Sequence, residues 1–86
     1  MIALRGSLGF ETVAQWLAQA DMIVADGTLD LAEVSQCDSA GAALLLELAR
    51  RSKQRGSPLQ LINAPKQLHD FAVFFGIDTM LGLPSQ

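Results

Sequence analysis

The chain is organised around residues 28–55, TLDLAEVSQCDSAGAALLLELARRSKQR, which contain a strand pattern, a polar turn and a long helix pattern. The strand is predicted over Thr28–Val34. Leu29 and Leu31 fall on one face of it and Asp30 on the other, and such alternation is typical of a strand with one buried face. We therefore expect this strand to belong to a sheet that is packed mainly on one side.

The polar turn Ser35–Ser39 separates this strand from a helix predicted over Ala40–Arg55. A parallel sheet usually places its functional residues at such a point, between the C-terminal end of a strand and the N-terminus of a helix. Asp38 or Ser39 can cap the helix, which stabilises it by about 1 kcal/mol, and Gly56 is expected just beyond its C-terminus. The inward face of this helix is predicted to contain Gly41, Leu44, Leu45, Leu48 and Ser52.

The N-terminal segment predicts a short strand and a first helix. The strand is expected over Ile2–Leu4, and Gly6–Gly9 is interpreted as a segment that interrupts regular structure. The helix is expected to begin at Phe10, with Trp16 at the edge of the core. Its buried face is predicted to contain Phe10, Val13, Ala14, Leu17 and Ala20.

The C-terminal segment predicts a third strand, Leu59–Ile62, and a third helix. Pro65 suits the first helical position, where its missing N–H costs nothing, and His69 is expected to face solvent. Val73 and Phe74 lie off the buried face, so they either pack on the residues that follow or form an exposed apolar patch. The buried face is predicted to contain Leu68, Phe71, Ala72 and Phe75.

These elements predict one α/β domain over residues 1–86 in the order β-α-β-α-β-α. Parallel strands joined by right-handed crossovers would place the helices on the same side of a small, mostly parallel sheet. The one-sided strands agree, since a parallel sheet covered on both faces would show continuous apolar runs.

Composition excludes several classes of function. The formal net charge is −3, which argues against nucleic acid as a partner. No apolar run reaches the roughly 18 residues of a membrane span, and no secretory peptide is expected at the N-terminus. The one cysteine, Cys37, rules out an internal disulfide and favours a reducing compartment. We therefore expect a cytoplasmic protein.

Charge is distributed unevenly along the chain. Residues 11–47 contain seven acidic residues and no basic one. A basic cluster then follows, and cations in the last turns of a helix complement its dipole; a patch that binds RNA or lipid headgroups is the alternative. The cluster contains Arg50, Arg51, Lys53 and Arg55.

The turn also has some features of a catalytic site. Cys37 and Ser39 stand at a helix N-terminus, a position that lowers the pKa of a thiol and favours anions. A nucleophile needs a base, however, and the only histidine, His69, lies on a different helix. No phosphate-binding loop or metal-ligand spacing is present. We therefore expect no enzyme, cofactor or metal, and a small enzyme that uses Cys37 or Ser39 is the remote alternative.

The strand, turn and helix together resemble the STAS domain, the module of anti-sigma-factor antagonists and sulfate transporters. The resemblance is carried by Leu29–Leu31, by Asp38-Ser39-Ala40-Gly41 and by the leucines of the helix. In the phosphorylated members of that family two hydroxyl residues follow the aspartate, and the second of them is modified. Here that position is Ala40, so no phosphosite is expected. An anti-sigma-factor antagonist is therefore an alternative that Ala40 disfavours.

A second branch of the family is more similar. The Leu-Leu-Leu-Glu-Leu helix and the C-terminal helix that ends at Gly76 are similar to the small STAS subunit of the Mla phospholipid ABC transporter. This resemblance implies a non-catalytic cytoplasmic accessory subunit that binds the transporter's ATPase. It would lie at the inner face of the inner membrane and reach the membrane only through its complex.

The small side chains of the turn would allow a partner backbone to approach closely. The helix N-terminus offers a polar anchor, and the first turns of the helix offer modest apolar area beside it. The ATPase-binding residues are therefore predicted to be Ser35, Gln36, Asp38, Ser39, Ala40, Gly41, Ala42, Ala43 and Leu46.

The first strand differs from the family pattern. STAS domains usually have another strand before the one predicted at Ile2–Leu4, and without it the first strand has a bare edge, which is a pairing hazard. Three explanations stay open: the start lies upstream, a partner covers the edge, or the domain forms a homodimer through it.

Overall fold

A computed structural model of the protein describes residues 1–74, 76 and 77. The strands are β1 (Ile2–Leu8), β2 (Thr28–Cys37) and β3 (Gln60–Ile62). The helices are α1 (Val13–Leu17), α2 (Ala20–Asp26), α3 (Ser39–Gln54) and α4 (Lys66–Phe74). This α/β order confirms the predicted alternation, although two short helices replace the first helix.

The three strands form one parallel sheet in the order β1-β2-β3. Leu29 of β2 is aligned with Ile2 of β1 and with Leu61 of β3. On the other face, the exposed side chains of Arg5 and Glu33 form an ion pair at 3.0 Å. The sheet is thus apolar towards the helices and polar on its open face, which confirms the predicted fold class.

Helix α3 packs its predicted inward face against the sheet. Leu45 and Leu48 are fully buried, and burying each such side chain stabilises the fold by roughly 1.5–3 kcal/mol. The Ser52 hydroxyl accepts a hydrogen bond from the Leu59 N–H and donates one to the Ala49 carbonyl. All five predicted inward residues are buried, namely Gly41, Leu44, Leu45, Leu48 and Ser52.

The C-terminus of α3 is also as predicted. Gly56 has a positive φ of 75°, a conformation that glycine adopts at little cost. Its N–H donates to the Lys53 carbonyl at 3.0 Å, and the Ser57 N–H donates to the Ser52 carbonyl at 3.2 Å. These two bonds form a Schellman motif, which satisfies the last carbonyl groups of the helix.

The prediction of one long first helix is wrong. Residues 9–12 form a turn in which the Thr12 hydroxyl accepts a hydrogen bond from the Gly9 N–H. Helical structure begins only at Val13. Phe10 is therefore exposed instead of buried, as are Ala14 and Leu17. The segment contributes buried apolar area mainly through α2, whose buried residues are Ala20, Ile23 and Val24.

Trp16 packs against the edge of the core, as predicted. Its indole Nε1 is buried and has no hydrogen-bond partner in the described part of the chain. A buried N–H without a partner costs stability, because the group loses its bond to water.

Strands β1 and β2 both extend beyond their predicted ends. The segment Gly6–Gly9, predicted to interrupt regular structure, continues β1 as far as Leu8, and Gly6 accommodates a φ of 78° within the strand. The predicted turn Ser35–Ser39 is strand up to Cys37. The register between β1 and β2 shifts twice, which obscures the alternation that marks a strand in the sequence.

Helix α4 starts at Lys66, one residue after Pro65. His69 is buried, so the prediction that it faces solvent is wrong. Val73 and Phe74 are exposed. Of the predicted buried face, Leu68 and Ala72 are buried, Phe71 is half-buried and Phe75 lies outside the described residues. No helix within the described ranges has both the length and the apolar content needed to cross a membrane.

Candidate functional site

Asp38 joins three segments of the chain at the start of α3. Its Oδ1 accepts a hydrogen bond from the Gly41 N–H at 3.0 Å, which caps the helix, and its Oδ2 accepts one from the Phe10 N–H at 3.1 Å. Its own N–H donates to the Leu8 carbonyl at 3.2 Å. The hydrogen bonds from Gly41 and Phe10 hold the pKa of this carboxyl below its usual range, so Asp38 is an anion at neutral pH.

Gly41 seats the first turn of α3 against the end of β1. A Cβ at this position would collide with the Leu8 carbonyl oxygen and would lie 3.1 Å from the Cys37 sulfur. Backbone atoms cannot move aside as a flexible side chain can, so only glycine fits. Gly41 thus allows a close approach between the helix and the sheet.

The nine residues predicted to bind a partner do not all reach the surface. Exposed residues are Ser35, Gln36, Asp38, Ser39 and Ala43. Half-buried residues are Ala40 and Leu46, and buried residues are Gly41 and Ala42. Gly41 and Ala42 shape the start of the helix and present little surface, so their part in partner binding stays a prediction. We refer to the other seven residues, which are exposed or half-buried, as the Ser39 region.

A polar cleft of about 240 Å³ borders this region. It lies at the C-terminal ends of β1 and β2, the edge at which ligands bind in open α/β sheets. Ser7 of β1, Gln36 of β2 and Gln67 of α4 line it together with Asp38. Ser7 could have been predicted from the sequence, because it is a polar residue shortly after a strand pattern. Gln67 could not, because its place in the cleft depends on the tertiary position of α4.

Cys37 is poorly suited to act as a nucleophile. It is half-buried at the end of β2, and burial raises the pKa of its thiol to about 11, with a further contribution from the charge of Asp38. The expectation that this pKa is lowered is wrong, because burial and the neighbouring Asp38 charge both favour the neutral thiol. Cys37 is therefore a neutral thiol near pH 7. Because the thiolate is the reactive form of cysteine, this neutral thiol is a weak nucleophile.

The basic cluster of α3 is partly neutralised within the helix. Arg50 donates two hydrogen bonds to the Glu47 carboxylate and Arg51 donates one, at 2.7–2.9 Å. These bonds lower the pKa of Glu47 to about 2. Beside them an apolar groove is lined by Leu46, Ala49, Arg50 and Lys53. The groove continues the exposed face of α3 away from Ser39.

Within the part of the chain that the structure describes, no group of histidine, cysteine and acidic side chains could hold a metal ion. The residues around Ser39 are mainly small and polar, beside one capped helix N-terminus and one uncharged thiol.

A family comparison agrees with this structure. Residues 1–83 match the family model described as "Mlab, STAS domain". The chain belongs to this STAS family. The match covers the parallel sheet, α3 and the Asp38–Gly41 motif of this STAS domain. A comparison with curated proteins found no significant match.

Proposed function

We propose that this STAS domain is a non-catalytic accessory subunit that binds the ATPase of an Mla-type phospholipid ABC transporter. The observation that carries the proposal is the family match over residues 1–83, together with the exposure of Ser39 at the capped start of α3. The domain would lie in the cytoplasm, against the inner face of the inner membrane, and would reach the membrane only through its complex.

The geometry of the Ser39 region supports protein docking. Ser39 and Ala43 are small and exposed, so a partner backbone can approach α3 closely. Leu46 adds apolar area one turn further along the helix. Asp38 fixes the backbone of this region through three hydrogen bonds, so little conformational entropy would be lost when a partner binds.

The proposal is tested by placing a large anion on the docking surface. Ser39→Glu should reduce copurification with the ABC ATPase subunit of the same cell at least tenfold. A glutamate in the first turn of a helix interacts favourably with the helix dipole, so this variant should still fold, and circular dichroism would check that it does.

Ser57→Glu is the matched control, because it adds the same side chain at an exposed position beyond the other end of α3. The helix has 16 residues, which separates the two positions by roughly 24 Å. Ser57→Glu should bind the ATPase as the wild type does. Undiminished binding by Ser39→Glu would show that the docking site lies elsewhere.

An anti-sigma-factor antagonist is the second candidate, favoured only by the exposed hydroxyl of Ser39 at the helix N-terminus. Ala40 occupies the position that is phosphorylated in such proteins and has no hydroxyl. Incubation with a cognate anti-sigma kinase followed by intact-mass measurement distinguishes the two functions. A mass increase of one phosphoryl group per chain would support the antagonist function and contradict the ATPase proposal.

A second copy of the chain is a further proposed partner. β1 is an edge strand of seven residues, and no described strand pairs with its outer side. Such an edge carries unpaired backbone groups that can pair with another strand. We therefore propose a homodimer through β1, independent of the Ser39 region.

A further inference from the structure

Phe10 is an exposed aromatic residue at the border of the Ser39 region. Its side chain is 84% exposed, although a phenylalanine gains free energy when it is removed from water. Its N–H lies 3.1 Å from Oδ2 of Asp38, the residue directly before Ser39. The backbone of Phe10 therefore lies beside the start of α3, and its exposed aromatic side chain contributes little to the domain's own core.

The loop that carries Phe10 is held in place on both sides. The Thr12 hydroxyl donates to the Ser7 carbonyl at 2.9 Å and accepts the Gly9 N–H at 3.0 Å. The Thr12 and Val13 N–H groups both donate to the Gly9 carbonyl at 2.9 Å. Together with the bond to Asp38, these contacts fix the Phe10 backbone before any partner arrives.

The residues that adjoin Phe10 include two carboxylates. Glu11 is the next residue and is exposed, and Asp38 is an anion whose Oδ2 accepts the Phe10 N–H. Residues 6–49 contain no lysine or arginine, and the nearest cation before them, Arg5, pairs with Glu33. A surface that receives Phe10 should therefore combine an apolar pocket with a basic rim.

We propose that Phe10 is the apolar anchor of the docking surface, inserting into an apolar pocket with a lysine or arginine rim on the ATPase that contacts Ser39. This inference rests on the proposed function. Interface hot spots are typically aromatic side chains near the centre of a contact, and an anchor that is rigid before binding loses less entropy. The two adjoining carboxylates argue against an anionic membrane surface as the occupant.

The test measures the dissociation constant of the purified full-length chain for the ABC ATPase subunit by calorimetry. Phe10→Ala should weaken binding at least tenfold, on the order of a hot-spot truncation. Phe10→Arg should weaken it further, since it sets a cation against the basic rim. The thermal melting temperature of both variants should stay near that of the wild type, because the side chain is exposed.

Phe74→Ala is the matched control. Phe74 is 82% exposed but lies at the C-terminal end of α4, seven residues beyond the cleft-lining Gln67, or roughly 10 Å along the helix axis. Loss of its ring removes similar apolar area away from Ser39. Binding by this variant should equal that of the wild type, and an equal loss in both alanine variants would contradict the inference.

The outcomes separate the inference from the proposed function. If Ser39→Glu abolishes binding and Phe10→Ala does not, the docking site stands and the anchor is wrong. If the wild type does not bind the ATPase, both are wrong. The anchor is also overturned if Phe10→Ala changes only self-association, measured by sedimentation, or only binding to phosphatidylglycerol vesicles, while ATPase binding is unchanged.

Discussion

At the scale of single residues, Asp38 connects the end of β2, the start of α3 and the loop that carries Phe10. Its carboxylate caps α3 through Gly41 and holds the Phe10 loop, so one charge organises two segments. Because these bonds lower the pKa of Asp38 in the folded state, the stability they provide is fully present above the unfolded-state pKa near 4. It is lost as the pH falls through the lower folded-state value.

We therefore expect the urea midpoint of the wild type to exceed that of Asp38→Asn at pH 7, and the difference to shrink as the pH falls from 4 towards 2. Asp38→Ala should have a lower urea midpoint than the wild type at every pH. Even a protonated aspartic acid accepts a hydrogen bond, whereas alanine has no side-chain acceptor. A difference between the wild type and Asp38→Asn that does not change with pH would show that the charge contributes nothing.

Trp16 gives a second prediction at this scale. Its buried Nε1–H has no partner in the described structure, and such a group costs about 1–3 kcal/mol. Replacement of the indole by a phenyl ring would remove that cost while keeping most of the apolar contact with the core. Trp16→Phe should thus change the free energy of unfolding by less than about 1 kcal/mol.

Trp16→Ala is the comparison, because it removes the ring and its contact with the core. It should lower the free energy of unfolding by about 2 kcal/mol or more, less than for a fully buried tryptophan. Urea unfolding followed by circular dichroism would measure both variants. If they lose the same stability, the indole N–H has an undetected partner.

At the scale of elements, the inward face of α3 was predicted correctly from the sequence, but the end of β2 was not. α3 contains many strong helix formers in a regular apolar stripe, so its inward residues follow from spacing alone. In β2, Ala32 and Glu33 are both exposed, as are Ser35 and Gln36, because its register with β1 shifts twice. Alternation therefore breaks down within a continuous strand, and polar residues in it resemble a turn.

The prediction of a helix from Phe10 was wrong for a related reason. Apolar spacing placed Phe10 on a helix face, but the Thr12 hydroxyl closes a turn with Gly9 and delays the helix to Val13. A local side-chain bond to the backbone thus overrode the apolar pattern, as threonine and serine often do. The spacing of apolar residues cannot reveal such a bond. The sequence did contain a signal for this turn, since Thr12 follows three residues after Gly9.

The contact between α3 and β1 gives a prediction about these elements. Alanine at position 41 would gain up to about 1 kcal/mol in helix propensity, but its Cβ would collide with the Leu8 carbonyl. Overpacking against backbone costs about 3 kcal/mol, the upper end of the usual range. Gly41→Ala should therefore lower the free energy of unfolding by about 2 kcal/mol net and displace the start of α3.

Gly56→Ala is a suitable comparison, because a Cβ there meets no atom within 4 Å. Its cost comes only from the positive φ and should be about 1 kcal/mol. Chemical denaturation of the two variants would measure the difference. If Gly41→Ala is no less stable than Gly56→Ala, the helix start can move away from β1 without penalty.

At the scale of the whole molecule, the layered fold followed from the sequence, whereas the cleft did not. One-sided strands separated by helices imply a parallel sheet with helices on one face. The cleft instead needs α4 to bring Gln67 towards Ser7 and Gln36. The position of α4 is set by the burial of Leu68 and Ala72 in the common core, and no local pattern encodes that position.

The exposed edge of β1 gives the last prediction. Ala3 is aligned with Asp30 of β2, so Ala3→Lys can be accommodated in the domain, where the new ammonium group lies near a carboxylate. In a dimer through β1, each added lysine would lie on a strand that pairs with the other copy, so an ammonium group would be brought into that contact. Lysine on an edge strand is also a device by which natural proteins prevent such pairing.

The wild type should therefore dimerise reversibly in sedimentation equilibrium, and Ala3→Lys should weaken the dimer at least tenfold. Gln60→Lys, on the exposed surface of β3, adds the same charge away from β1 and should leave self-association unchanged. Because Ala3 lies near the opposite end of β1 from Ser7, which lines the cleft beside the Ser39 region, Ala3→Lys should also retain ATPase binding. A wild type that stays monomeric at all concentrations would mean that identical edges do not pair, and the dimer proposal would then be wrong whatever binds at Ser39.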